Sequence, residues 1–247
     1  MTHIAHILER FTMPLEESAP GAEPWYIDWV IKNPKKISDS VTVGWYAYQS
    51  LLSVYDPEEI STAVEPFGGI GAQSLIIRDL FPSLRRHVVG EYTDLAVDHL
   101  RQVLPSLVQV IKADAYEGTS DFKNWDLVGL DFGDLTCWKT RPGQPHRGLL
   151  DRVFAGSPKA VVLTDVACPR LGLHRDRYEA LLGTGTCKSY ETYLPALAEL
   201  LEEMYGYVTI AGFYHRGAAK MAMVPAAAGD RGVFVPVPST PVGLDIL

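Results

Sequence analysis

The sequence predicts a doubly wound α/β fold: a mostly parallel seven-stranded sheet ending in an antiparallel hairpin, preceded by a helical N-terminal extension. Three observations carry that reading. From residue 60 onward, short apolar runs alternate with helical patterns, as expected of parallel strands buried on both faces. The first of these runs ends in a glycine-rich turn, Gly68-Gly69-Ile70-Gly71. The last two runs are separated only by His215-Arg216-Gly217, too short for a parallel crossover, so they pair antiparallel.

In chain order, residues 1–60 form an aromatic-rich extension containing Trp25, Tyr26, Trp29, Trp45, Tyr46, Tyr48 and Tyr55. A polar, Pro-containing break runs from Lys32 to Ser40. Val41–Val54 then reads as one amphipathic helix, stopped before Asp56-Pro57. The core domain, 61–224, begins with the strand Ser61–Phe67 and the helix Gly71–Phe81, which Pro82 closes. His87–Glu91 is the second strand and Asp94–Leu104 the second helix, closed by Pro105. Strands follow at Val108–Lys112, Trp125–Asp131 and Lys159–Asp165, with a helix at Arg147–Ala155. The helix Ser189–Met204 precedes the hairpin strands Tyr207–Tyr214 and Ala218–Val224. The connection 166–188 is long for such a fold and reads as a substrate loop or a plain surface insertion. The tail 225–247 is rich in Pro, Gly and Ala. It is an edge strand at Gly232–Val237, a partner-binding arm, or a disordered end.

Composition excludes several classes of function. The chain has 22 Lys+Arg against 30 Asp+Glu, a net charge of −8, which argues against a protein that coats nucleic acid indiscriminately. Cys137, Cys168 and Cys187 are too few and too far apart for a disulfide framework or a cysteine zinc site. The histidines show no ligand spacing, so no metal is expected. No apolar run reaches the ~18 residues of a membrane helix, and charge and Pro14 break the N-terminal stretch that a secretory signal would need. The expectation is a cytoplasmic protein with no membrane association, bacterial or from a virus-infected cell. The charge is unevenly spread. Residues 1–60 and 61–138 each balance at −5, whereas 139–220 hold 11 basic and 8 acidic residues, a surplus of +3. That block is a solvated face or a local basic surface for a polyanion.

The chemistry gathers at the carboxyl ends of the strands, where a doubly wound sheet binds its ligands. The glycine turn lets a ligand approach the backbone and leads into a helix N-terminus with unpaired N–H groups. An acid then follows each of the next three strands: Glu91, 20 residues after Gly71, then Asp114 and Asp131. Glu91 stands where a carboxylate accepts hydrogen bonds from ribose hydroxyls. Ser74 occupies the place of the third glycine of a dinucleotide fingerprint. Together with the closing hairpin, it disfavours a nicotinamide oxidoreductase.

Residues 61–224 resemble a class I S-adenosylmethionine-dependent methyltransferase, with a Rossmann-like domain. Glu65-Pro66-Phe67-Gly68-Gly69-Ile70-Gly71 is similar to the family's first motif, and its wording is nearest to that of nucleic-acid methyltransferases. The resemblance implies S-adenosylmethionine as cofactor, held by Glu65, Phe67, Gly68, Gly69, Gly71, Glu91, Tyr92, Asp114, Ala115 and Asp131. Within it, Glu91 matches the ribose acid, Asp114 the acid that contacts the adenine amino group, and Asp131 the motif beside the transferred methyl. The fourth-strand motif reads Asp131-Phe132-Gly133-Asp134, without the Pro-Pro-aromatic wording of amino-methylating nucleic-acid enzymes or the Pro-Cys of pyrimidine C5 enzymes. By position, Asp131 and Asp134 are the candidate catalytic residues, Asp131 lining the methionine end and Asp134 polarising the nucleophile. Trp138 either stacks a planar substrate or packs under a loop. Arg147, His174 and Arg175 are candidate substrate contacts, part of a basic lip in 139–220 for RNA or DNA. The expected activity is methylation of an RNA or DNA base. A small-molecule methyltransferase and a cofactor-binding but inactive scaffold subunit are the alternatives.

Overall fold

The computed structural model describes residues 34–115, 122–131, 146–165, 188–215 and 218–237, together with 179, 182, 183 and 185. Most of the N-terminal extension, Asp134, Trp138, His174, Arg175, most of the 166–188 connection and the end of the tail lie outside the described residues, as does the side chain of Arg147.

The first described element is helix α1, Pro34–Ser50, followed by single 3-10 turns at Leu51–Ser53 and Pro57–Glu59. The expected break from Lys32 to Ser40 is therefore largely helical. Pro34 opens the helix, where a missing N–H costs nothing. Strand β1 is Thr62–Glu65, and helix α2, Ala72–Leu80, starts after Gly71, which takes φ +87°. Strand β1 is shorter than the apolar run that predicts it. Ser61 gives its N–H to the Asp126 carboxylate at 2.8 Å, and Pro66 has no N–H for the ladder. Strand β2 is Arg86–Glu91 and helix α3 is Asp94–Val103, capped by the Thr93 hydroxyl, which accepts from Ala96 N–H. Then come β3 Val108–Lys112, β4 Leu127–Leu130, α4 His146–Ala155 and β5 Ala160–Asp165. Helix α5, Tyr190–Tyr205, begins with a Ser189/Thr192 capping box and ends at Gly206 with φ +71°. Strands β6 Tyr207–His215 and β7 Ala218–Pro225 form the predicted hairpin.

The sheet order is β3-β2-β1-β4-β5-β7-β6-β8. Strands β1 to β5 run parallel, and β7 is antiparallel to both β5 and β6. An eighth strand, β8 Val233–Pro236, joins the edge parallel to β6. This is the edge strand read at Gly232–Val237, and it makes the sheet one strand wider than expected. The strand order reverses between β1 and β4, so the ligand crevice of such a sheet opens at their carboxyl ends.

Both faces are covered, as the continuous apolar strands require. One face buries Val89, Leu127 and Val162 against α1 and the 3-10 turn after it, α2 and α3, through Tyr48, Leu51, Ile76, Ile77 and Leu100. The other buries Val88, Val128 and Val161 against α4 and α5, through Leu149, Val153, Tyr193 and Leu197. Among the described residues no helix is long and apolar enough to cross a membrane.

Candidate active site

The turn after β1 is built from inside outward. Gly68 donates its N–H to the Gly90 carbonyl at 2.9 Å, which lashes the turn to β2. A Cβ on Gly68 would lie 2.5 Å from Val89 Cγ1 and 2.6 Å from Leu100 Cδ1, so only glycine lets the turn press into the core there. The next residue faces the other way. Gly69 takes φ +52°, and a Cβ on it would meet no atom of the described residues within 4 Å. Its N–H donates to Glu91 Oε2 at 3.0 Å, and Tyr92 N–H donates to Glu91 Oε1 at 2.8 Å. Two backbone donors thus fix the Glu91 carboxylate at the rim of an open notch. Each oxygen keeps a lone pair for a further donor. Tyr92 is largely exposed beside it.

Glu65 and Phe67 are placed differently from the glycines. Glu65 is buried, and its Oε1 lies 2.8 Å from Nε2 of the equally buried His87. The carboxylate supports the turn from beneath. Phe67 is half-buried against the α4 and α5 side of the core. After β3, Asp114 is half-buried and Ala115 is buried. The Ala115 carbonyl accepts from Arg152 Nη2 of α4 at 2.6 Å, which ties this loop down.

Asp131, directly after β4, is likewise held by two donors. Gln73 of α2 donates to its Oδ2 at 2.7 Å, and Lys220 of β7 lies 3.3 Å from its Oδ1. Lys220 also donates to Thr164 Oγ1 at 2.6 Å and is completely buried. Burial lowers the Lys220 pKa, while Asp131, and behind it Glu65, pull the other way. Tyr48 of α1 reaches into the same region. Gly129 leaves the gap it fills, since a Cβ on Gly129 would lie 2.5 Å from the Tyr48 hydroxyl. That hydroxyl is buried without a hydrogen-bond partner among the described residues, and burial, then Glu65 and Asp131, raise its pKa well above the usual tyrosine value.

The described structure thus brings together Gly68, Gly69, Glu91, Tyr92 and Asp131 around one crevice, with Glu65 beneath it. It adds Gln73, Thr164, Lys220 and Tyr48, which the sequence reading did not assign to a site. Three cations of the basic block are engaged internally: Arg152 on Ala115, Lys220 on Asp131, and Lys159 on Asp126 at 3.1 Å and on the Glu59 carbonyl at 2.6 Å.

Comparison with protein-family models gives no match, and comparison with curated proteins gives none either. Among solved structures, a Pyrococcus horikoshii protein assigned provisionally as an RNA methyltransferase aligns with 91% of this chain and 99% of its own. Its sequence identity is 14% and the TM-score 0.52. The chain has the class I methyltransferase fold. Two further solved structures align with 91% of the chain. The mitomycin 7-O-methyltransferase does so at 16% identity, 68% coverage of its own length and TM-score 0.48. Human N-acetylserotonin methyltransferase, solved with S-adenosylmethionine, does so at 15% identity, 66% coverage and TM-score 0.46. In the methyltransferase fold of this chain, the reversal between β1 and β4 carries the glycine turn on one side and Asp131 on the other. The open space over Gly69, next to a fixed carboxylate with unused lone pairs, suits a ribose-bearing ligand.

Proposed function

We propose that the chain is an S-adenosylmethionine-dependent methyltransferase that acts on an RNA or DNA base. The observation that carries the cofactor reading is the Gly69–Glu91 pair at the rim of the notch. S-adenosylmethionine supplies a methyl group made electrophilic by its sulfonium. Glu91 would accept from the ribose hydroxyls, the Tyr92 ring would flank the nucleoside, and Asp114 and Ala115 would border the adenine. Asp131, held by Gln73 and Lys220, would line the methionine end.

Methyl transfer is an in-line displacement, so the protein's part is orientation and electrostatics. Asp131 arrives already oriented by two donors, which reduces the reorganisation needed during reaction. Asp134, three residues on, polarises the nucleophile and accepts its proton. Only a modest base is needed for an exocyclic amino group.

The nucleic-acid part of the proposal draws its support from the surplus of basic residues in 139–220 and from the wording of the first motif. The provisional assignment of the Pyrococcus protein points the same way. Because Arg152, Lys159 and Lys220 are engaged internally, the lip must consist of the remaining cations, among them Arg147 and Arg175.

The test is to incubate the protein with radiolabelled S-adenosylmethionine and separate pools of total RNA, DNA and metabolites. Label is expected in a nucleic-acid pool and is expected to be lost in Asp131→Ala and Asp134→Ala. Label confined to metabolites overturns the substrate assignment, and absence of cofactor binding overturns the whole reading. RNA or DNA affinity should fall steeply with salt, and a flat response removes the basic lip.

A further inference from the structure

We propose that Lys220 is a positioning residue for methyl transfer. Its ammonium, buried behind Asp131, sets the charge at the reacting end of the crevice and so tempers the preference for the sulfonium cofactor over its neutral thioether product. The inference rests on the cofactor reading above and assigns a role to a side chain outside the nucleotide-binding turn.

A fully buried lysine is rare unless it is paired, and Lys220 stands in an otherwise apolar strand, Ala218–Pro225. An apolar side chain of similar length would fill its slot without the desolvation cost of a charge. The surroundings nevertheless accommodate the lysine. Gly44 of α1 crosses so closely that a Cβ there would lie 3.3 Å from Lys220 Cε. Thr164, paired with Lys220 across the β5–β7 ladder, accepts one hydrogen bond. The ammonium then lies 3.3 Å from Asp131 Oδ1, on the inner side of a carboxylate whose outer part is open to the crevice. Lys220 itself is closed off from solvent, so it acts through Asp131 rather than on a substrate.

The consequence is electrostatic. Methyl transfer turns a sulfonium into a thioether, so the ligand loses one positive charge. A lone carboxylate beside it would favour the charged reactant. A cation directly behind that carboxylate offsets part of its field; the amino-acid charges feel this in both ligands and cancel in the ratio of affinities, which leaves the effect on the sulfonium. Lys220 thereby eases the loss of charge from sulfur.

The test compares affinities for S-adenosylmethionine and S-adenosylhomocysteine by equilibrium dialysis, in wild type, Lys220→Met and Lys220→Arg. In K220M the affinity ratio is expected to move toward S-adenosylmethionine by about fivefold to tenfold, the size expected of one unit charge acting across a partly wet site. K220R, which keeps the charge, is expected to stay within about twofold of wild type. Where K220M does not fold, Lys220→Gln keeps a donor for Thr164 and Asp131 without the charge and reads the same ratio. Equal changes in both affinities, or no change in either, in a folded charge-free variant make Lys220 a packing residue and overturn the proposal. If wild type binds neither ligand, the cofactor reading itself fails, a result distinct from an unchanged ratio.

Discussion

The glycine turn permits a test that separates fold from ligand within two adjacent residues. At Gly68 an added Cβ would fall 2.5 Å from Val89 Cγ1 and 2.6 Å from Leu100 Cδ1, both fully buried. Gly68→Ala therefore overpacks the core, at a cost of about 1–3 kcal/mol. For a chain of this length that is a melting-temperature drop of about 3–10 °C. At Gly69 the space is open and the obstacle is φ +52°. Asparagine tolerates that backbone better than any other bulky residue, so Gly69→Asn should cost no more than about 1 kcal/mol. Its amide, however, projects into the notch beside Glu91. Cofactor affinity should then fall at least about tenfold, equivalent to about 1.4 kcal/mol of lost contact. Thermal melts and equilibrium dialysis on the same two proteins give both axes, and the two variants should fall in opposite order on them. A stable G69N protein that binds S-adenosylmethionine as wild type does would refute the placement of the nucleoside over Gly69.

Three residues outside the turn give further tests. Tyr48→Phe removes a buried hydroxyl that has no partner among the described residues, so it should be neutral or stabilising in a urea melt. Gly129→Ala drives a methyl to within 2.5 Å of that hydroxyl and should cost about 1–3 kcal/mol, part of which Tyr48→Phe restores in the double variant. Asp126 accepts from Ser61 N–H and hydroxyl at 2.8 Å and from Thr62 N–H at 3.1 Å, so Asp126→Ala should lose about 2 kcal/mol. Burial pushes the Asp126 carboxyl up, but the Ser61 bonds and Lys159 pull it further down, leaving it below its ordinary 3.8. Its stabilisation is therefore complete above that value and is lost as pH falls through the lower native one. The stability gap between wild type and D126A should hold at neutral pH and shrink in acid below the ordinary aspartate range. A gap that is constant down to strong acid would contradict the assigned bonds.

What was legible in the sequence was chemistry fixed to strand ends. Glu91 and Asp131 could be read because an apolar strand followed by an acid places that acid at the crevice whatever lies in between. The hairpin was legible because three residues cannot cross a sheet. Lys220 was not. In Ala-Ala-Lys-Met-Ala-Met its neighbours mark a core strand, and the partners that make a buried cation tolerable, Thr164 on β5 and Asp131 just after β4, lie far away in sequence. The alternation itself held the signal: Lys220 shares a face with the buried Ala222 and Val224, so it had to be buried and hence paired. Asp126 was hidden in the same way, because its acceptors' partners stand some 65 residues earlier. The start of α1 is hidden because Pro34 reads as a break unless it is recognised as a first-turn residue.

Helix α1 is also where the division of the chain into an extension and a core domain meets its hardest test. Val41, Val43, Ala47, Tyr48 and Leu51 are each no more than 2% exposed. Burying a large apolar side chain contributes about 1.5–3 kcal/mol, so α1 and its following turn contribute on the order of the whole net stability of a domain, about 5–15 kcal/mol. The helix is tied at its polar positions as well. Asp39 lies 3.4 Å from His215 Nε2 at the end of β6, and His215 Nδ1 lies 2.7 Å from the Val237 carbonyl just past β8. One histidine thus joins the N-terminal helix, the hairpin and the edge strand. Removing residues 1–51 would uncover Lys220 and Gly129 and strip one face of β7, leaving a buried cation open to water and an apolar strand without its cover. A chain starting at residue 52 should therefore show no cooperative melt and no cofactor binding. If that fragment melts cooperatively, α1 is an appendage, and its packing on Lys220 through Gly44 and on Gly129 through Tyr48 has no part in holding the domain together.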